Sequence, residues 1–378
     1  MRIDTVAFDR LPEPALRAWD AILAGGLPDA RDVDVTMTRE WSTALAASHL
    51  RANPPLAAVA WQDDQVAGVF PFFRKTVWSS GVRCRTVEAV PQLYSGRGFL
   101  LAWDVDLFAM ALLEYFSRAP EPWDWLEITV PAGSPSQRAI ESAAARLSCK
   151  LRVTSTSRTP YIDFPERWET LFEGLAKKFR WTLRSSRKRM EGAGRLTHRV
   201  FTAASEVDQF LTMVFAIERE SWKEQSGTSI TLSAIQQTFY RGFAEGAARR
   251  GWLRGHVLLL DDAPAAYIFG VQIGPVFHDL KESYRLPLSD FSPGHVLKTF
   301  AFPCLFEEGV TRYDFRGNCD DFKLKWTQQI YERVTLRVEA GSVRVRAANA
   351  LGSLKRRGVH AVSKLKSALG NSASVEQN

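Results

Sequence analysis

Three features predict an α/β protein made of two related units in tandem. An apolar run, a double-Asp turn and a second apolar run make up "LAAVAWQDDQVAGVFPFF" (56–73), and "LRGHVLLLDDAPAAYIFGVQIG" (253–274) repeats that grammar. Asp-rich turns between β-rich runs signal hairpins. Each hairpin is followed by a helix and a short strand: "DLFAMALLEYF" (106–116) with "DWLEITV" (124–130), then "HVLKTFAFPCLFEEG" (295–309) with "TRYDFRG" (311–317). An offset this long describes a duplicated α/β unit rather than a short-period solenoid, and 378 residues suffice for two domains.

Between the units, "TPYIDFPERWETLFEGLAKKFRWTLRSSRKRMEGAG" reads as a Pro-containing crossing and then a basic helix closed by Gly192 and Gly194. The expected domains are therefore 1–160 and 161–340, with 341–378 as a basic, partly helical tail. The second unit opens on a strand at "THRVFT". Two helices follow. Val207, Phe210, Leu211, Val214 and Phe215 stand at helical spacing in the first, and Ile235, Phe239, Phe243 and Ala247 in the second, with Gly251 as its C-cap. The hairpin comes next, then a third strand "PVFHDLKESYR", a loop, a helix and a strand. In the tail, Leu351, Leu354, Val359, Val362, Leu365 and Leu369 mark a basic amphipathic helix. It is either a solvated helix or one that lies on an anionic membrane or a partner.

Composition narrows the function. The chain is 46% hydrophobic and 24% charged, a soluble globular profile, and has no run of about 18 apolar residues. "MRIDTVAFDR" carries acids early and lacks the apolar core of a signal peptide, so a cytoplasmic protein is expected. Cys84, Cys149, Cys304 and Cys319 are scattered without C-x-x-C spacing, and no two histidines stand four apart; neither a disulfide framework nor a metal is expected. Most of the +7 net charge sits in the tail, where seven basic residues face Glu376 alone. A second basic cluster lies at 177–189. The near-neutral body argues against a DNA-binding protein.

The loop "FSPGH" (291–295) follows a charged strand, "KESYR", and precedes an apolar stripe of Val296, Leu297, Phe300, Ala301, Cys304 and Leu305. A Ser-Pro-Gly start has two readings, a plain helix cap and an anion cradle. The first turn of a helix has unpaired N–H groups and a partial positive charge, so a phosphate is stabilised there without any side chain. Gly294 has no Cβ and permits close approach. Pro293 donates nothing, so the donors would be Gly294, His295 and Val296. Ser292 is a good N-cap whose hydroxyl serves either helix or ligand.

The order strand, two helices, hairpin, strand, Gly loop, helix, strand resembles that of the GNAT acyltransferases. Residues 160–335 are similar to the CelD/BcsL-like family with its BioF2-like acetyltransferase domain, on the ordered set "ESW" (220–222), "KESY" (281–284), "FSPG" (291–294) and "DFRGNCDDFKLKW" (314–326). The resemblance implies two tandem GNAT-like domains with mixed central sheets, the first degenerate. It implies an acyl-CoA co-substrate, most simply acetyl-CoA, and an amine or hydroxyl acceptor, a small molecule or saccharide, in polysaccharide or envelope metabolism. It also leaves a Fem-like aminoacyl-tRNA-dependent transferase and a non-catalytic binding module open. There are departures. Phe322 stands where the family often has an aromatic hydroxyl, so protonation of the leaving thiolate lacks an owner. Arg285 replaces an acid, and Pro303 should kink or shorten the helix. The first unit offers only "YSGRGF" (94–99) in place of the Ser-Pro-Gly loop, and no cofactor is expected there.

The expected site follows. Glu220 is read as the group that orients or deprotonates the acceptor, or as a surface carboxylate beside Glu218 and Lys223. Tyr284 binds acceptor, donates a proton, or is a sheet tyrosine. Lys281 either meets substrate or pairs with Asp314 across neighbouring strands. Ser292, Gly294, His295 and Val296, with Lys323, are the expected cofactor ligands; His295 is a helix-start donor or a general base. The 177–189 cluster is a solvated face, or contacts an anionic acceptor or the CoA 3′-phosphate. Strict alternation along "HDLKESY" would put His278, Leu280, Glu282 and Tyr284 on one face and Asp279, Lys281, Ser283 and Arg285 on the other.

Overall fold

The computed structural model describes residues 1–26, 33–90 and 101–354. The "YSGRGF" segment and the tail beyond residue 354 lie outside them. The first unit runs β1 (Arg2–Ala7), α1 (Glu13–Ala21), α2 (Arg39–Ala47), β2 (Leu56–Gln62), β3 (Gln65–Ser79), β4 (Val82–Ala89), β5 (Leu101–Ala102), α3 (Val105–Arg118), β6 (Trp125–Pro131), α4 (Pro135–Arg146) and β7 (Lys150–Asp163). The second runs α5 (Trp168–Gly174), α6 (Lys177–Ala193), β8 (Leu196–Phe201), α7 (Val207–Arg219), α8 (Trp222–Gln225), α9 (Ala234–Arg249), β9 (Leu253–Leu260), β10 (Ala263–Ile273), β11 (Val276–Tyr284), α10 (Pro293–Glu307), β12 (Arg312–Asp314), α11 (Asp321–Leu324) and β13 (Ile330–Glu339).

The repeat seen in the sequence extends to backbone detail. Asp63 and Asp64 have φ of 49° and 62°; Asp261 and Asp262 have 49° and 64°. Two consecutive positive φ values define the tight hairpin turn whose twist matches the strands it joins. Each hairpin then carries a bulge at the same place. The third residue past the turn, Ala67 in β3 and Ala265 in β10, is the one skipped by the register. In both units the third strand pairs in parallel, for three residues, with the strand that follows the helix: β4 with β6 and β11 with β12.

One continuous sheet joins the units in the order β1-β2-β3-β4-β6-β13-β7-β12-β11-β10-β9-β8, with β5 on β3. Strand β7 belongs to both halves, since its body pairs with β13 and its end, Tyr161–Asp163, pairs with β12. Strand β13, counted with the second unit on sequence, lies between β6 and β7 in the first unit's sheet. We propose the division near residue 160 with this exchange included. The tail begins as a helix over 343–354, and its Val345 and Ala348 are buried against Cys84 and Trp125.

Helix α10 buries Val296, Leu297, Ala301, Phe302 and Leu305 completely. Each of these side chains other than Ala301 contributes about 1.5–3 kcal/mol. Phe302 replaces the half-buried Phe300 as the aromatic anchor of the expected stripe. Contrary to expectation, Pro303 does not shorten the helix, which runs on to Glu307. Helices α7 and α9 cover the opposite face of the second unit's sheet, packing Phe210, Val214, Phe239 and Phe243 against Tyr267 and Phe269.

Candidate active site

Strands β11 and β12 stay in register only from Val276↔Arg312 to His278↔Asp314. There β12 ends, while β11 continues to Tyr284. The strands part, and a cleft of about 670 Å³ opens between them. Gly294, His295 and Lys298 line it from α10, and Trp222, Lys223 and Tyr240 from α8 and α9.

A bulge shapes the β11 wall. Phe269 pairs with Lys281 and Gly270 with Asp279, so Leu280 is the extra residue. Gly270 is required here because a Cβ would meet the ring of Phe277 at 2.0 Å. The bulge overturns strict alternation. Leu280 and Lys281 both face α7 and α9, whereas Asp279, Glu282 and Tyr284 face the α10 side. Bulges re-aim side chains beside active sites, and this one brings both sets to the cleft.

At the start of α10 the cradle is narrower than expected. The Ser292 carbonyl accepts from the amides of His295 (2.9 Å) and Val296 (3.1 Å), which leaves the Gly294 amide alone without an acceptor among the described residues. Ser292 is left-handed (φ 50°) and its hydroxyl makes no capping bond. A Cβ on Gly294 would meet only Tyr284 Cδ1, at 3.7 Å, so the space in front of the helix is open. Arg189 of α6 braces the approach by donating to the Asp290 carbonyl at 2.8 Å. His295 Nδ1 accepts from Trp326 Nε1–H at 3.0 Å, so its Nε2 carries the proton. Burial, then Lys298 and Lys325, lowers its pKa to about 3. It is a neutral donor with its basic nitrogen already occupied. The Val296 side chain is core.

Two acidic groups missed in the sequence form the centre of the cleft. Asp279 is buried; Tyr313 donates to its Oδ2 at 2.7 Å, and its Oδ1 has no partner. Burial, reinforced by Glu282, raises its pKa to about 7. Glu282 pairs with the buried ammonium of Lys298. Tyr284 lines the cleft, and its hydroxyl has no hydrogen-bond partner among the described residues. On the other side, fully buried Glu218 accepts from Tyr267 (2.6 Å) and from the Ile230 amide (3.0 Å), with Lys223 and Lys281 beside it.

The other expected residues are placed differently. The Lys281–Asp314 pair does not form. Lys281 stands three residues past Asp314's register partner, where the strands have separated, and Glu218 meets it instead. Asp314 accepts from Tyr331 at 3.0 Å and from the Arg316 amide at 2.8 Å. Glu220 ends α7 outside the cleft lining, with Arg285 donating to its carboxylate at 2.7 and 2.9 Å. Lys323 reaches the cleft, but its ammonium is held by Asp320 (2.9 Å) and the carbonyls of Arg316 (3.0 Å) and Asn318 (3.1 Å). Sequence did carry a signal for two of the missed groups. Glu218 falls on the apolar stripe of α7, four residues after Val214, and Lys298 falls three before Ala301 on that of α10.

Residues 177–324 match the Acetyltransferase (GNAT) domain family. FemX has a similar structure, at TM-score 0.58 and 14% identity over 88% of this chain and 96% of that one. A conserved protein of unknown function from Bacteroides thetaiotaomicron aligns at TM-score 0.53 and 14% identity, covering 86% of this chain and 97% of that one. So does a C-terminal DUF2156 domain, described as that of a lysylphosphatidylglycerol synthetase, from Agrobacterium fabrum, at TM-score 0.52 and 14% identity over 91% and 95%. No curated protein matches. The second unit is thus a GNAT acyltransferase domain. The first repeats its hairpin, bulge and parallel pair, so the chain is a tandem of two GNAT-like units.

Proposed function

We propose that the chain is an acyltransferase that takes an acyl group from acyl-CoA, most simply acetyl-CoA, and passes it to an amine or hydroxyl. The observation that carries this reading is the parting of β11 from β12 beside the open amide of Gly294. An unpaired strand edge suits an extended pantetheine chain, and the Gly294 amide with the α10 dipole suits its pyrophosphate. Asp279 is the general base. A carboxyl near pH 7 can both hold and release a proton at neutral pH, and its Oδ1 is free to take one from the acceptor. Tyr284 supplies the proton that the leaving thiolate takes up, the role Phe322 cannot fill. Glu282, paired with Lys298, stands beside Asp279 and raises the pKa of its carboxyl, while Lys298 lowers it. The donor supplies the activated acyl group; the chain supplies position and proton transfer.

A small-molecule or saccharide acceptor, polysaccharide or envelope metabolism and a cytoplasmic setting belong to the same proposal. They rest on the resemblance to the CelD/BcsL-like family. Among the described residues no helix is long and apolar enough to cross a membrane, and no three side chains cluster as metal ligands. A Fem-like use of aminoacyl-tRNA has one observation in its favour. Trp181, 69% exposed, shares the outer face of α6 with the exposed Lys177, Lys178 and Lys188. Salt-sensitive binding of tRNA would favour that reading.

Thermal unfolding with and without acetyl-CoA tests the proposal. Wild type should be stabilised by excess acetyl-CoA, and Gly294→Trp, which fills the open space before α10, should lose the response. A Gly294→Trp protein that responds as wild type does would remove the cradle assignment.

A further inference from the structure

Every buried cation of the cleft but two has a carboxylate of its own, and the remaining one is exposed. Lys298 has Glu282, Lys323 has Asp320, Arg316 has Asp34, and Lys325 is exposed to water. Lys223 and Lys281 share Glu218 as their only ion-pair partner among the described residues, with Glu282 and Asp279 acting on Lys223 from farther off. Their ammonium groups stand 3.7 and 3.8 Å from the two oxygens of Glu218, beyond hydrogen-bond distance. Those oxygens already accept from Tyr267 and the Ile230 amide. Each ammonium makes a single hydrogen bond among the described residues, Lys223 to the Glu282 carbonyl and Lys281 to that of Thr228. Both side chains are nearly enclosed, 14% and 12% exposed, and both line the cleft. A surplus positive charge out of water is costly unless something compensates it. Lys281 also lies 5.7 Å over the ring of Tyr240, on the α9 side of the sheet and so across it from Gly294. The donor's phosphates belong at the Gly294 end. The surplus charge sits at the end left for the acceptor.

We propose that the acceptor carries an anionic group, a carboxylate or a phosphate, bound by Lys281 and Lys223 on the α9 side of the cleft. The acyl-transfer reading is needed only to call the bound species the acceptor; anion binding by these two lysines stands apart from it. Burial, with Lys223 next to it, lowers the Lys281 pKa to about 8, and a bound anion restores what burial takes away.

The test uses the full chain and two probes, inorganic phosphate and acetate, each against chloride at equal ionic strength. Thermal stability is followed in wild type, Lys281→Met, Lys281→Arg and Lys223→Met. Lys281→Met leaves Lys223 to neutralise Glu218, so the fold is kept; a urea titration checks this. Wild type and Lys281→Arg should gain stability with at least one probe. Both methionine variants should bind it at least roughly ten-fold more weakly. A larger effect of phosphate assigns a phosphorylated acceptor, and a larger effect of acetate a carboxylated one. The Gly294 amide is common to all four proteins. An equal response of wild type and Lys281→Met therefore places the anion elsewhere and overturns the proposal, as does no response in wild type. Acetyl-CoA binding can fail while this subsite holds, and the reverse.

Discussion

In the first unit, β4 pairs with β6 at Thr86–Glu88 and ends one residue later, at Ala89. In the second, β11 pairs with β12 over the same length and then runs on through a bulge to Tyr284. The hairpin ladder behind β4 is regular, while that behind β11 is broken at Leu280. The helices that follow differ in the same sense. α3 begins on Asp104, whose carboxylate accepts the Leu107 amide at 2.9 Å, so a negative group already occupies the place an anion would take. α10 begins on a left-handed Ser292 with no side-chain cap, and the Gly294 amide is left open. Among the described residues, one extra residue in a strand and one missing cap mark the unit that carries the cleft. The first unit also props the second. Asp34 meets the buried guanidinium of Arg316 at 2.9 Å, and Arg316 follows β12 at the edge of the cleft with φ of 49°.

The largest expected effect follows from Asp279, which has no acidic counterpart in a parted strand of the first unit. Asp279→Asn should lower kcat by about 10²–10⁴-fold, the usual contribution of a positioned base. In wild type kcat/KM should rise with pH through about 7 as the carboxylate forms, and the variant should lose that limb. Stability should move the other way. The folded carboxyl holds its proton more tightly than the unfolded one, whose value is near 3.8. Its stabilisation is full below pH 4 and lost as pH rises through about 7. Asp279→Asn should therefore gain thermal stability relative to wild type at pH 8 and not at pH 4. A variant that keeps wild-type kcat would return the base to another group.

Much of this arrangement was legible in the sequence and part of it was not. The two Asp-Asp hairpins, the helices after them and the Ser-Pro-Gly start of α10 could be read because turn residues and apolar periodicity act locally. Gly294 was read from that start and Tyr284 from the "KESY" motif, and both line the cleft. The bulge at Leu280 was not read, although Gly270 inside β10, with Phe277 lying over it, is the residue type that marks a bulge or a close approach. That bulge is why alternation misassigned the faces of β11; Lys281 was matched to Asp314 because the early parting of β11 from β12 was not read. The exchange of β13 into the first sheet was hidden, because strand order is a property of distant partners. Glu218 and Lys298 were readable as charges on apolar stripes. Glu220 drew notice instead because it belongs to a motif, while Arg285, read as a departure, turns out to neutralise it.

A second way to break the comparison is to remove the prop. Asp34 and Arg316 are both buried, and a buried charge left without its partner costs about 3–5 kcal/mol. Asp34→Asn keeps an acceptor for Thr36 and removes the charge. It should lower unfolding free energy by about 3 kcal/mol in urea, and adding Arg316→Met should recover most of the loss. If Asp34→Asn alone is neutral, the first unit does not brace the cleft through this pair.

The smallest effect belongs to the cap that closes the first unit's helix. Asp104→Ala removes the carboxylate that holds the Leu107 amide, at an exposed helix start. Loss of such a cap costs about 1 kcal/mol. For a chain of this size that is a fall of only a few degrees in Tm, at roughly 2–4 °C per kcal/mol even for shorter domains. The response to acetyl-CoA should be unchanged, because opening the amides of α3 does not part β4 from β6. A new or doubled response would show that an open helix start is sufficient for binding, and that the parted strands of the second unit are not what distinguishes it.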